Sequence, residues 1–312
     1  MNRRLAGAFL LFGVACSAAR RSNFDDPPGT STTGSGDVGG GDTGAGGDVS
    51  LTAGVGGGTS TASGTPSDCS EAAKLVYLLT DANEIYSFAP LDKKLTKLGN
   101  LSCPTRLLPN SMAVSRDAVA WVNYVDGFDL QGAIFRVDLA NLSCESAPAV
   151  QLPGAWARLG MGFSSDAVDT DAETLFVAGI ASGQLGRING KVLEPVGNFT
   201  GGLTGKSAEL TGTGDARLFG FFTTSPVVVA ELGKTNAGAL SNVPLPTVEV
   251  PNAYAFSFWG GDFYLYTASF TNSRVNRYRP SDGTVDTAYI PDTGMRIVGA
   301  GVSTCAPVES PQ

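Results

Sequence analysis

Self-similarity constrains this chain more than any other feature. Five segments share the order aliphatic, any residue, mostly charged, apolar: Ile85-Tyr86-Ser87-Phe88, Ile134-Phe135-Arg136-Val137, Leu185-Gly186-Arg187-Ile188, Val229-Ala230-Glu231-Leu232 and Val275-Asn276-Arg277-Tyr278. Their starts lie 49, 51, 44 and 46 residues apart. The alternation is that of a strand with one face buried. A unit recurring at this period points to a repeat architecture in which each copy buries its apolar face against the next.

Each copy is preceded by a second apolar strand, at Leu75–Leu79, Val119–Val122, Thr174–Val177, Arg217–Phe221 and Asp262–Tyr266. One strand further back lie segments of small residues: Ser111–Val114, Leu159–Phe163, Glu209–Gly212 and Ala255–Phe258. A fourth strand follows each copy, as at Leu95–Leu98 and Val192–Val196. Four strands in about 40 to 50 residues make a propeller blade. The first repeat lacks the small-residue strand, and the C-terminus supplies a surplus one at Arg296–Val302. Joining the two completes a fifth blade and removes the open sheet edges. The sequence therefore predicts an all-β fold, a β-propeller of five four-stranded blades over residues 68–306, with the C-terminal strand closing the first blade and residues 307–312 as a flexible tail. An open β-solenoid or a sandwich would leave the complementary ends unexplained. Gly and Ala suit the innermost strands because blades crowd near the axis, and almost no helix is expected past the N-terminal segment.

The N-terminus reads Met1-Asn2-Arg3-Arg4, then an apolar run from Leu5 to Ala15, then Cys16. This is the basic region and short apolar core of an export signal, and its 11 apolar-run residues fall short of the roughly 20 a membrane-spanning helix needs. Residues 17–67 are dominated by Gly, Ser, Thr, Asp and Ala, a composition expected to behave as a disordered tether. Leu11-Phe12-Gly13-Val14-Ala15-Cys16-Ser17 resembles the lipobox of bacterial lipoproteins, departing from it at Gly13. That resemblance implies lipidation at Cys16, with simple cleavage nearby as the alternative. Ser17 after the cysteine implies outer-membrane sorting. Export to the outer membrane, periplasm or cell surface is the expectation, with membrane contact only through a lipid anchor.

Besides Cys16 the chain has four cysteines, an even number that suggests two disulfides in an exported domain. In the ring, Cys69 enters the first blade and Cys305 ends its closing strand, so a Cys69–Cys305 bond would staple the ring shut. Cys103 and Cys144 then pair by elimination, both within Asn-Leu-Ser-Cys segments. Local pairing of Cys69 with Cys103 is the competing arrangement.

No histidine occurs among the 312 residues. Ser-His-Asp and Cys-His nucleophile systems and His-ligated metals are thereby excluded. A net charge of −8 with no basic block argues against a nucleic-acid partner. Gly201-Gly202-Leu203-Thr204-Gly205-Lys206-Ser207 superficially resembles a phosphate loop, but Thr200 stands where the first Gly is required and no helix pattern follows, so it reads as a connection between blades. Asp166, Asp169, Asp171 and Glu173 crowd one loop; calcium takes such oxygens, but the spacing lacks the glycine and terminal Glu of an EF-hand, which favours a solvated turn. Aromatics such as Trp121, Phe221, Phe222, Phe258, Trp259 and Tyr264 sit at strand periodicity and should pack between blades; Trp259, before Gly260-Gly261, is the candidate exception, as a carbohydrate platform.

Propeller ligands sit where the inner strands begin, at one mouth of the central channel. By repeat alignment those positions are Asn110, Arg158, Glu209, Tyr254 and Arg296, a set able to hold a polar or anionic ligand. No catalytic constellation is legible. The expected function is a non-enzymatic binding or scaffold module on a tether, using one propeller face for a protein or polysaccharide partner and needing no cofactor. The alternative is a carboxylate-based, calcium-dependent enzyme acting on sugars or lactones. The stretches Leu210–Phe222, Phe258–Tyr264 and Arg296–Cys305 resemble a family of predicted lipoproteins of Gram-negative bacteria that carry a β-propeller domain; the resemblance implies architecture and location but no activity.

Overall fold

A computed structural model describes residues 69–311. The export signal, Cys16, the tether and Gln312 lie outside the described residues.

Among the described residues twenty-one strands follow one another, with one single-turn 3-10 helix before the first and two between strands. The first repeat forms β1 (Val76–Thr80), β2 (Glu84–Ala89) and β3 (Lys94–Asn100). The second forms β4 (Leu108–Val114), β5 (Val119–Val125), β6 (Gly132–Asp138), β7 (Ser143–Cys144) and β8 (Val150–Leu152). The third forms β9 (Leu159–Ser165), β10 (Glu173–Gly179), β11 (Gln184–Asn189) and β12 (Val192–Asn198). The fourth forms β13 (Ala208–Gly212), β14 (Leu218–Phe222), β15 (Val227–Leu232) and β16 (Ala239–Leu245), and the fifth β17 (Ala253–Trp259), β18 (Asp262–Ala268), β19 (Arg274–Arg279) and β20 (Thr284–Ile290). Last comes β21 (Ile297–Val302), which pairs antiparallel with β1, Val76 facing Val302, to complete the first blade in the order β21-β1-β2-β3.

The innermost strands β21, β4, β9, β13 and β17 touch in succession and close a ring of five blades. All five sequence repeats fall on the third strand of a blade. One blade departs from the simple count: its outer position is split into β7 and β8, both paired with β6. Cys144 at the end of β7 is tied to Cys103, and Pro148 in the intervening Glu145–Ala149 segment has no N–H to offer a ladder.

One apolar layer fills each of the five blade interfaces. Between the fourth and fifth blades Phe219, Phe221, Phe256 and Phe263 pack together, Phe256 stacked on Phe263 with centroids 5.4 Å apart. Each such ring withdrawn from water is worth roughly 2 to 3 kcal/mol. At particular positions of the innermost strands the spacing is too tight for a side chain. A Cβ on Gly160 of β9 would stand 2.0 Å from the Ala208 carbonyl of the next inner strand.

Both expected disulfides form: Cys69–Cys305, with Cα atoms 5.7 Å apart, and Cys103–Cys144, at 5.1 Å. Among the described residues no helix is long and apolar enough to cross a membrane. Disulfides of this kind belong to oxidising compartments. The chain enters at Cys69 beside Cys305, one strand length beyond the end of β21 where Arg296 lies. That strand puts the chain entry and Arg296 at opposite ends of the channel.

Candidate functional site

A cavity of about 640 Å³ opens where the inner strands begin, and it is lined by all five residues singled out by repeat alignment: Asn110, Arg158, Glu209, Tyr254 and Arg296. Each comes from a different blade, because each stands at the start of a different innermost strand. Two β-bulges shape the rim. In β4 the register shifts between Pro109 and Ser111, which leaves Asn110 unpaired; in β21 the shift opposite Leu79 and Thr80 leaves Val298 unpaired. An extra residue of this kind re-aims a side chain, and both Asn110 and Val298 line the cavity.

Asn110 is held rigidly. Its Nδ2 donates to Asn123 Oδ1 at 2.8 Å and to the Leu159 carbonyl at 2.7 Å, and its Oδ1 accepts from Arg158 Nη1. Asn123, fully buried in β5, also accepts from the Leu159 N–H and donates to the Ala157 carbonyl at 3.1 Å. Two amides thus stitch the second blade to the third. The sequence did signal Asn123, as the one amide in the otherwise apolar strand Val119–Val125, and repeat alignment alone passed over it.

Arg158 completes its fork on Asp129, donating from Nε at 2.9 Å and Nη2 at 2.8 Å to Oδ1. Arg296 donates from Nη1 to the Phe270 carbonyl, and its Nε stands 4.0 Å from Asp81 Oδ2. Across the channel Glu209 is almost wholly buried; Ser111 Oγ and the Met161 N–H both donate to it. Burial pushes its carboxyl well above the ordinary range, against the smaller opposing effects of those hydrogen bonds and of Arg158. Burial also pushes the Tyr254 hydroxyl up to about 12, and Glu209 adds to the shift.

The Glu209 shift has a definite sign in stability. Above about pH 4.5 the unfolded chain releases this proton while the folded chain keeps it. Holding the proton favours the fold fully below that pH, and stability falls as pH rises toward the raised native value. Glu209→Gln carries no proton to lose. Melting curves of both proteins from pH 4 to pH 7 are expected to show the variant gaining on the wild type as pH rises. Glu173, also raised by burial, acts with the same sign but is present in both proteins and cancels in the difference.

The carboxylates of the acidic loop do not converge. Asp166 accepts from Thr174 Oγ1 at 2.6 Å, Asp171 pairs with Arg116 at 2.7 Å, and Glu173 accepts from the Arg116 N–H and Thr304 Oγ1, each at 2.8 Å. Asp169 lies at the turn in a left-handed conformation. Among the described residues no group of three or more Asp, Glu, Cys or His side chains is arranged to hold a metal. Trp259 packs with the other aromatics: its Nε1 donates to the Lys74 carbonyl at 2.9 Å and its ring lies between the fifth and first blades, so it is no open platform. Gly201–Leu203 is one turn of 3-10 helix in a connection between blades.

No family model and no curated protein matches the chain. Among solved structures it is similar to a chain of a nidogen/laminin complex, at 11% identity and a TM-score of 0.47, covering 75% of this chain and 98% of that one. It is similar also to regucalcin, a calcium-binding protein of Agrobacterium tumefaciens (12% identity, TM-score 0.42, 62% of this chain and 65% of that one). A gluconolactonase from Xanthomonas campestris gives 15% identity, a TM-score of 0.41 and the same coverages. At these values the likenesses assign no activity, ligand or residue role to this chain.

Proposed function

We propose that the chain is a non-enzymatic binding module of the bacterial envelope, tethered through Cys16 and the segment 17–67, and that its channel mouth takes a carboxylate or comparable anionic group. The observation that carries this reading is the joint placement of Arg158 and Arg296 around one cavity with Asn110, Tyr254 and a buried Glu209. Guanidinium groups recognise planar anions by paired N–H donors. Arg296 has donors to spare, with one hydrogen bond to a carbonyl and a 4.0 Å approach to Asp81.

The donor set favours an anion over calcium. Asp81 and Glu209 are the acidic residues among those lining the mouth. Asp81 faces Arg296, Glu209 already accepts two hydrogen bonds, and the Asn110 side-chain Oδ1 is occupied by Arg158. Calcium takes six to eight oxygens. The mouth lies at the end of the channel opposite Cys69.

Thermal melting in the presence of sugar acids, dicarboxylates, neutral sugars and calcium tests the reading. Anions are expected to raise the melting temperature, by mass action on the folded state, and Arg158→Gln with Arg296→Gln is expected to abolish the shift. A shift by calcium or neutral sugars alone, or one indifferent to both arginines, would overturn it.

A further inference from the structure

The loops around the mouth are unequal. At this face the connection between the second and third strands spans residues 81–83 in the first blade, 180–183 in the third and 223–226 in the fourth. In the second and fifth blades it is longer, residues 126–131 and 269–273. The two longest loops carry Phe128 and Phe270, which at 84% and 85% are the most exposed large apolar side chains among the described residues. The same loops hold the two arginines. Asp129, beside Phe128, pairs with Arg158, and the Phe270 carbonyl accepts from Arg296. In both cases a loop of one blade grips the arginine that opens the innermost strand of the next. Both loops also leave from the edge of the cavity, since Val125 lines it and Ala268 pairs with Ala253, which lines it too.

Neither phenyl ring lines the cavity. A ligand small enough to fit within it leaves both rings in water. An occupant that covers them must reach out of the mouth and carry apolar surface close to its anionic group, as a polypeptide does. An anionic lipid surface fits less well, because Asp81, Asp126, Asp129 and Asp292 share this face. We propose that Phe128, Phe270, Arg158 and Arg296 form one docking surface for a protein partner, which inserts an acidic side chain at the mouth and lays flanking apolar residues on the two rings. Aromatic and arginine side chains are the residues that dominate protein interfaces. The proposal rests on the anion-binding reading of the mouth and adds the rim to it.

Full-length protein panned against a phage library of random dodecapeptides tests it, with envelope polysaccharides and phosphatidylglycerol vesicles offered in parallel. Enriched peptides are expected to carry Asp or Glu next to apolar residues. A synthetic consensus peptide is expected to bind about tenfold or more weakly to Phe128→Ser/Phe270→Ser and to Arg296→Gln. The exposed rings predict an unchanged melting temperature for the double variant. Peptides without an acid, peptides indifferent to the double variant, or enrichment of polysaccharide or vesicles alone would overturn the proposal. Wild-type protein that binds small carboxylates but enriches no peptide overturns the docking surface and leaves the mouth reading standing; protein that binds neither overturns both.

Discussion

With Cys69 and Cys305 both replaced by serine, the propeller is expected to melt at least about 10 °C below the wild type. The bond joins positions 236 residues apart. On the chain-entropy account, closing a loop of that length removes about 5 kcal/mol of freedom from the unfolded chain. The Cys103–Cys144 bond spans 41 residues and is worth about 4 kcal/mol on the same account. The two serine pairs should therefore both destabilise, the ring-closing pair more. The effect of the first has a structural side as well. Within the first blade the two ends of the described domain are joined by the β1–β21 pairing, by this bond and by flanking contacts such as Ser303 Oγ donating to the Ala73 carbonyl. Parting them bares two sheet edges and carries Arg296, at the start of β21, away from the mouth. Aggregation at the melting transition and loss of anion-induced stabilisation should accompany the lower melting temperature in this variant and not in the Cys103→Ser/Cys144→Ser variant. Equal melting of wild type and the Cys69→Ser/Cys305→Ser variant would show that the strand pairing alone keeps the ring shut.

The same closure explains why so much of the fold could be read from the chain. The third strand of a blade is covered on both faces, which corrects the expectation of one buried face: the two apolar residues of the repeat stand three apart and point opposite ways, Ile85 into the interface with the second blade and Phe88 into that with the fifth. The ring must end where it begins, and this paired Cys69 with Cys305. The mouth was legible for a related reason: positions equivalent by repeat become neighbours by symmetry, so Asn110 and Arg296 meet although 186 residues separate them in the chain. What the repeat could not supply were the features that break it. The bulge that leaves Val298 unpaired and the buried amide of Asn123 have no counterpart in the repeat, and Phe128 and Phe270 sit on loops outside the repeat unit. The acidic loop shows that charge density in sequence says nothing about separation. Arg116 and Thr304, distant in the chain, draw Asp171 and Glu173 into unrelated contacts.

Placing a methyl group on Gly160 should cost about 3 kcal/mol, although no polar contact is lost. The new Cβ would stand 2.0 Å from the Ala208 carbonyl and 2.7 Å from the Glu209 Cα, both backbone atoms that no rotamer change can move. The third and fourth blades must part to admit it. Gly202→Ala is the matched control, since nothing lies within 4 Å of its Cβ position, and it should stay within about 0.5 kcal/mol of the wild type. Urea unfolding of the two variants measures the difference. The wedge acts on the site too, because Gly160 lies two residues beyond Arg158 on β9 while its obstacle is the backbone at Glu209 on β13. Parting those strands strains the Met161 N–H bond to Glu209 and widens the gap between the carboxyl and Arg158. Anion-induced stabilisation should therefore weaken in Gly160→Ala even where the protein remains folded. If the two glycine variants unfold alike, the inner strands can separate at no cost, and steric crowding at the axis is not what reserves these positions for glycine.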